Sequence, residues 1–357
     1  MAGKSSAPHA QASCTVHAPT RIDLAGGTLD IWPLAPILQE KFELWNAPIE
    51  TVNLAIELRA EARVTLNPGS TFSWEFNDKS LGRTAVGSDL SQNQADDFVL
   101  HRAVARLFRQ KSLDAGFGHI TIETNAKAPR GSGLGGSSAL VVALIAAFNK
   151  LLELNFSEAE LCKTAQNLEA GILGNLAGNQ DHFAACYGGL QSVHHNAFGS
   201  ESHPIKSNLE ALAARLIIAH SGQQHFSAFN NWLVLEKALT LDAAVLERCA
   251  AIAKIVPQLK AQLESQNWEG VARLLSAEWE IRRTLAPGIV TPMLESLYET
   301  AVKAGASGGK VCGAGGGGVL VMMVNDPAQK PTIEAALAKA GGQVLECKPA
   351  HQGIIFS

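Results

Sequence analysis

The chain has 357 residues, 46% hydrophobic and 17% charged, which is ordinary for a globular protein and enough for a sizeable core. A formal net charge of −4 and a pI near 6.3 leave no electrostatic footprint for nucleic acid or an anionic membrane. The longest apolar run, residues 139–148, is too short to span a bilayer, and the first twenty residues lack the apolar core of a secretory signal. A cytoplasmic protein is expected, with residues 1–14 a flexible tail. The six cysteines, Cys14, Cys162, Cys186, Cys249, Cys312 and Cys347, are scattered without a C-x-x-C pair, the pattern of free thiols in a reducing compartment.

In chain order, a short strand-like piece opens at Cys14. Residues 56–66 alternate apolar and polar side chains and read as a strand, closed by the turn Asn-Pro-Gly-Ser. Residues 77–97 lack periodicity and read as loop. An amphipathic helix follows over 96–110, with Val99, Ala103, Val104 and Leu107 on one face. Residues 119–124 alternate again. A Gly/Ser loop leads into the apolar helix beginning near Ser137, and Ser157 with Glu160 forms a capping box for the next helix. The best boundary lies near 200–212, and the chain is divided into an ATP-binding half, 15–205, and a second half, 206–357. The second half reads as a strand at 215–221, helices near 230–240, 242–264, 268–285 and 291–304, a strand at 318–324, a helix at 331–341 and two terminal strands. Strands and helices mix without regular alternation, favouring two α+β domains with a cleft between them.

The stretch PRGSGLGGSSAL, Pro129 to Leu140, places extreme backbone freedom directly before a helix. Glycines let backbone approach a ligand, and a helix start offers free N–H groups and partial positive charge, so a phosphate cradle is expected. The loop satisfies G-x-G-x-x-G, but the dinucleotide fingerprint needs the glycines at a strand end, and six residues intervene after Thr124. A Walker A loop fails because Ser137 stands where its lysine belongs.

The pattern P-x-x-x-G-L-G-x-S-S-A resembles the nucleotide-phosphate loop of the GHMP kinases (galactokinase, homoserine kinase, mevalonate kinase, phosphomevalonate kinase and relatives). Two further segments strengthen the resemblance. Ala18 to Asp30, APTRIDLAGGTLD, is similar to the first family motif, and GGKVCGAGGGGVLVMM is similar to the third. GNQDHFAACYGG is similar to a segment of the heptose-phosphate kinase and fucokinase branch. The resemblance implies an α+β, two-domain GHMP kinase fold: an N-terminal ribosomal-protein-S5-like domain, a C-terminal ferredoxin-like domain, and the active site between them.

It further implies ATP and Mg²⁺. Nucleotide contacts fall on Pro129, Gly131, Ser132, Gly133, Leu134, Gly135, Gly136, Ser137 and Ser138, metal ligation on Ser138 and Glu169, and catalysis on Asp181 and Arg21. Acceptor contacts fall on Asp30, Gly27, Thr28, Gln180, Ser221, Gly222, Gly315 and Gly316; Gly313 and Gly317 complete the third motif. One departure stands out: heptose kinases show Gly-Gly-Gly-Thr-Asp where this chain has GGTLD, so Thr28 comes one place early. The implied activity is transfer of the γ-phosphoryl group of ATP to a hydroxyl of a sugar or sugar phosphate, with a mevalonate-type kinase and a non-catalytic nucleotide or sugar binder as alternatives. A phosphorylated acceptor would need extra basic groups, for which Arg83, Arg130 and Lys310 are candidates. The histidines read as structural or solvated, except His225 beside the acceptor loop. Trp32 reads as core rather than as a ring stacked on a sugar.

Overall fold

The alternating segments assemble into one eight-stranded sheet. A computed structural model describes residues 10–45, 47–91, 96–174, 178–223 and 227–357. Strands β1 (Ala12–Ala25), β2 (Ile49–Pro68), β3 (Ser73–Asp78), β4 (Arg83–Gly87), β5 (Phe117–Ala126), β6 (Leu190–Asn196), β7 (Gly199–Pro204) and β12 (Ile355–Phe356) form this sheet, in the order β12-β1-β2-β5-β3-β4. Strand β2 is long enough to pair with β5 through its C-terminal half and β6 through its N-terminal half, with β7 outside β6. Among the described residues only β3 and β5 pair in parallel.

Helices α1 (Leu34–Lys41), α2 (Val99–Asp114), α3 (Gly136–Leu151), α4 (Glu158–Leu173) and α5 (Gln180–Tyr187) belong to the first half of the chain. The second half holds α6 (Leu209–Ala213), α7 (Ser227–Leu239), α8 (Ala243–Glu264), α9 (Trp268–Arg282), α10 (Pro292–Lys303) and α11 (Lys330–Lys339). Its four strands, β8 (Leu216–His220), β9 (Gly308–Val311), β10 (Val319–Met323) and β11 (Gln343–Leu345), make a second, antiparallel sheet ordered β11-β8-β10-β9.

Helix α3 explains itself by its sequence. Every side chain from Ser138 to Phe148 is buried, as expected of a helix apolar all round, which must lie inside rather than on the surface. It packs on β1 and β2 beneath α2, α4 and α5. This fixes the depth and direction of its N-terminus, where the glycine loop sits. The expected capping box holds: Ser157 N donates to Glu160 Oε2 at 2.8 Å, and Glu160 N donates to Ser157 Oγ at 3.3 Å. A separate apolar cluster joins the two sheets, with Ile22, Leu24 and Leu54 against Ile218, Val321 and Leu275.

Several expectations are corrected. Residues 83–87 are a strand, not loop; their side chains are mostly exposed, which erases apolar alternation. Strand β1 begins at Ala12, so the end of the expected flexible tail is ordered on β2. Trp32 is 64% exposed and so lies outside the core. His194 and His195 lie on β6 rather than in a loop, and burial pushes His195 down to about 3. Two segments cross the division expected at residue 205. Leu34 and Leu38 of α1 pack in the cluster of the second sheet, while the chain end returns to β1.

That return is anchored by Arg59, which donates to the carbonyls of Gln352 at 2.8 Å and Gly353 at 2.7 Å. Ending the chain after Lys348 removes both acceptors from a buried guanidinium. The expected cost is on the order of 3 kcal/mol. Thermal unfolding checks this; an unchanged midpoint would contradict it.

Candidate active site

The glycine loop, the start of α3, the start of α5 and the end of β1 enclose a cavity of about 380 Å³. Pro129, Gly131, Ser132, Gly133, Gly135, Gly136, Ser137 and Ser138 line one side. Leu134 is buried beneath the loop, and its carbonyl accepts from Arg21 N at 3.0 Å. Arg21, Thr28, Asp30, Glu169, Gln180 and Asp181 line the same cavity. Four segments far apart in sequence therefore share one space.

Asp181 lies in the first turn of α5, whose N-cap is Asn179. Its Oδ1 forms an ion pair with Arg21 Nη2 at 2.5 Å, and Arg21 Nη1 donates to the Gly133 carbonyl at 2.5 Å. Burial works against the charge on Arg21. The field of Asp181, with Cys312, Asp23 and Asp30, outweighs it and holds the guanidinium above its usual value. Gly135 makes this closeness possible. It adopts φ +75°, and a Cβ there would lie 2.9 Å from Asp181 Cγ.

Glu169, on α4, is buried and accepts from Ser138 Oγ at 2.7 Å. Burial alone would raise its pKa, but His182, Ser137 and Ser138 together bring it below the usual glutamate value. The Nε2 of fully buried His182 lies 2.9 Å from the same Oε2. His182 is therefore a structural partner of Glu169, a role its sequence neighbourhood did not reveal. Asp30 accepts from Gln180 N at 3.2 Å. Burial, then Asp181, push its pKa up to about 6, against the Gln180 N–H and Arg21.

Other expected residues serve as framework. Ser221, Gly222, Gly315 and Gly316 do not line the cavity; Gly313 and Ala314 do. Ser221 N donates to the Gly318 carbonyl at 2.9 Å and Gly316 N to the Ile289 carbonyl at 2.8 Å. A Cβ on Gly315 would meet Ile289 O at 2.5 Å, so that glycine allows packing. Gly27 abuts Asp23, whose Oδ2 would lie 2.3 Å from an added Cβ. His225 lies outside the described residues. Lys310 is fully buried, bonding Asp23 Oδ2 at 3.0 Å and Glu278 Oε1 at 3.2 Å. It is thus not a surface group for an anionic acceptor. Arg83 and Arg130 both pair with Asp97; Arg130 and Asp97 line the cavity on the side of the glycine loop.

Thr28 is the unusual residue. Its φ is +73°, a genuine outlier for a β-branched side chain, costing about 1–3 kcal/mol. Leu29, which follows, is buried in the apolar cluster of the second sheet. The motif is therefore displaced by a core side chain, and the hydroxyl of the threonine sits one residue early.

Residues 99–189 match the family model described as the GHMP kinases N terminal domain, and residues 259–343 match GHMP kinases C terminal. The chain belongs to the GHMP kinase family. This GHMP kinase is 28% identical over 353 residues to the D-glycero-alpha-D-manno-heptose 7-phosphate kinase of Campylobacter jejuni, spanning 94% of this chain and 96% of that one. It is 26% identical to a mevalonate kinase of Saccharolobus solfataricus, over 78% and 84% of the two chains. The fold matches the crystal structure of a D-glycero-D-manno-heptose 1-phosphate kinase from Bacteroides thetaiotaomicron, with TM-score 0.72, 23% identity, and 96% and 98% coverage. Among the described residues no helix is long and apolar enough to cross a membrane.

Gly135→Ala is expected to force the loop and Asp181 apart. Turnover should fall roughly 100-fold, because small misplacements of reacting groups are costly, while circular dichroism remains that of the folded protein. Full activity in that variant would contradict the close packing.

Proposed function

We propose that this GHMP kinase transfers the γ-phosphoryl group of ATP to a hydroxyl, most plainly the anomeric one, of a sugar or sugar phosphate. The protein is an ATP-dependent phosphotransferase with an alcohol acceptor. The observation that carries the fuller reading is the meeting of the Asp181–Arg21 pair with the glycine loop in one cavity. A heptose-phosphate kinase among its relatives supports the sugar acceptor.

The backbone N–H groups of residues 131–138 and the N-terminus of α3 cradle the nucleotide phosphates. Ser138 and Glu169 fit a magnesium ion: a hydroxyl and an ionised carboxylate, both hard oxygen donors, already bonded to each other in the cavity wall. Among the described residues no group of three or more His, Cys, Asp or Glu could hold a metal. Two protein oxygens suit an ion that keeps waters and shares phosphate oxygens. Magnesium bound with ATP neutralises phosphate charge and polarises the bond that breaks.

Asp181 orients the acceptor hydroxyl and receives its proton as the acceptor oxygen bonds to the γ-phosphorus. The bond from that phosphorus to the bridging oxygen breaks, and ADP leaves. Arg21 holds Asp181 in place and balances charge gathering on the moving group. Asp30 accepts hydrogen bonds from other acceptor hydroxyls, a contact that discriminates because an unmatched buried carboxylate is costly.

ADP release measured with ATP, magnesium and a panel of sugars, sugar phosphates and mevalonate tests the reaction. Asp181→Asn should lose transfer by at least about 10³-fold with ATP affinity nearly unchanged; undiminished turnover would reject its role. Because Asp30 sits near pKa 6, it is ionised above that pH and protonated below. The kcat/KM for acceptor should therefore fall about tenfold per pH unit below about 6. Asp30→Asn should lower kcat/KM and remove that limb; a limb left in place would reject the assignment.

A further inference from the structure

We propose that Arg282 is a positioning residue that holds the Thr28 hydroxyl, together with the Asn231 amide, as a second acceptor anchor beside Asp30. This rests on the sugar-kinase reading of the same cavity and names how it grips its acceptor.

Thr28, Asn231 and Asp30 all line the cavity. The Thr28 hydroxyl donates to Asn231 Oδ1 at 3.4 Å and accepts from Arg282 Nη1 at 3.2 Å. A hydroxyl has one proton and two lone pairs. The proton and one lone pair are thus used, and the second lone pair remains for a donor hydroxyl on the acceptor. Asn231 adds two amide N–H donors of its own.

Arg282 does this from behind the wall. It comes from the end of α9, is buried, and lies outside the cavity lining. Its Nε and Nη2 donate to Glu278 Oε1 at 2.8 and 2.6 Å, Nη2 donates to the Gly27 carbonyl at 2.6 Å, and Nη1 reaches the Gly313 carbonyl at 3.5 Å. Glu278 also holds Lys310, which in turn holds Asp23. Two cations and two carboxylates are balanced inside the protein. Such a cluster is costly to rearrange, so it fixes the guanidinium and, through it, the first motif.

The backbone supplies a second line of argument. Glycine would adopt φ +73° without strain, yet a β-branched hydroxyl residue occupies the position. A strained conformation that persists is over-determined by its surroundings, and here the surroundings are the Arg282 and Asn231 bonds to that hydroxyl. Outliers of this kind cluster at ligand clamps.

The test compares Thr28→Gly, Thr28→Ser and Arg282→Lys with the unaltered protein, on whichever sugar of the panel it turns over. Thr28→Gly removes the hydroxyl and relieves the strain. Its thermal midpoint should be equal or higher, while KM for the acceptor rises about tenfold and KM for ATP stays within about twofold. Thr28→Ser keeps the hydroxyl and should hold acceptor KM near the original. Arg282→Lys should show the same split as Thr28→Gly. An acceptor KM unchanged in Thr28→Gly, or raised equally in Thr28→Ser, overturns the anchor. A parallel rise in ATP KM for Arg282→Lys overturns the positioning role. Unaltered protein that turns over no sugar or sugar phosphate overturns the acceptor class and the anchor with it, whereas active protein with indifferent Thr28 variants overturns the anchor alone.

Discussion

One guanidinium joins the parts of this site. Arg21 reaches Asp181 with one nitrogen and the Gly133 carbonyl with another, while its own N–H bonds the Leu134 carbonyl. Strand β1, the glycine loop and helix α5 are thereby held at hydrogen-bonding distance around a single charge. A buried arginine favours partners for its fork of donors, and Nη1 and Nη2 of Arg21 find them here while its buried Nε has none among the described residues. The demand for partners therefore fixes the loop that the glycines leave free. These bonds tie two loop carbonyls to β1, and the start of α3 lines the same cavity as the Asp181 carboxylate.

Behind this pair lies the second charge cluster, Asp23, Glu278, Lys310 and Arg282, which ties the first motif to α9 and β9. Burial tends to neutralise Asp23, but Lys310 and then Arg282 and Arg21 keep it below the usual aspartate range. The two clusters do different work. Arg21 and Asp181 face the cavity, whereas the Arg282 group is sealed behind it and sets the geometry of Gly27 and Thr28. Asp30 lines the cavity with its pKa pushed up to about 6 by burial and then by Asp181.

The elements most legible in the sequence were those with one dominant signal. The uniformly apolar run of α3 had to be interior, and the Ser157–Glu160 box had to start a helix. The loop after Thr124 was legible as a glycine- and serine-rich entry to a helix, and the structure puts it along the cavity wall. The edge strand β4 was invisible because an exposed strand has no apolar face to alternate. Lys310 was a candidate for an anionic acceptor because a lysine in a glycine-rich stretch carries no mark of its burial. Arg282 and Glu278 are spaced i, i+4 like many pairs on solvated helix faces, so nothing local distinguishes this buried pair.

Local chemistry in the sequence determined the longer helices, though not the short α1, α5 and α6, together with the glycine turns and the mixed α+β character. Each of these follows from propensities and patterns acting within a few residues. Only the tertiary structure decided which charges meet. Arg21 with Asp181, Ser138 with Glu169 and Arg282 with Thr28 lie 160, 31 and 254 positions apart. Their pairing, burial and shifted protonation depend on how two sheets pack. Burial and electrostatic fields come from neighbours in space, and no short stretch of the chain contains them.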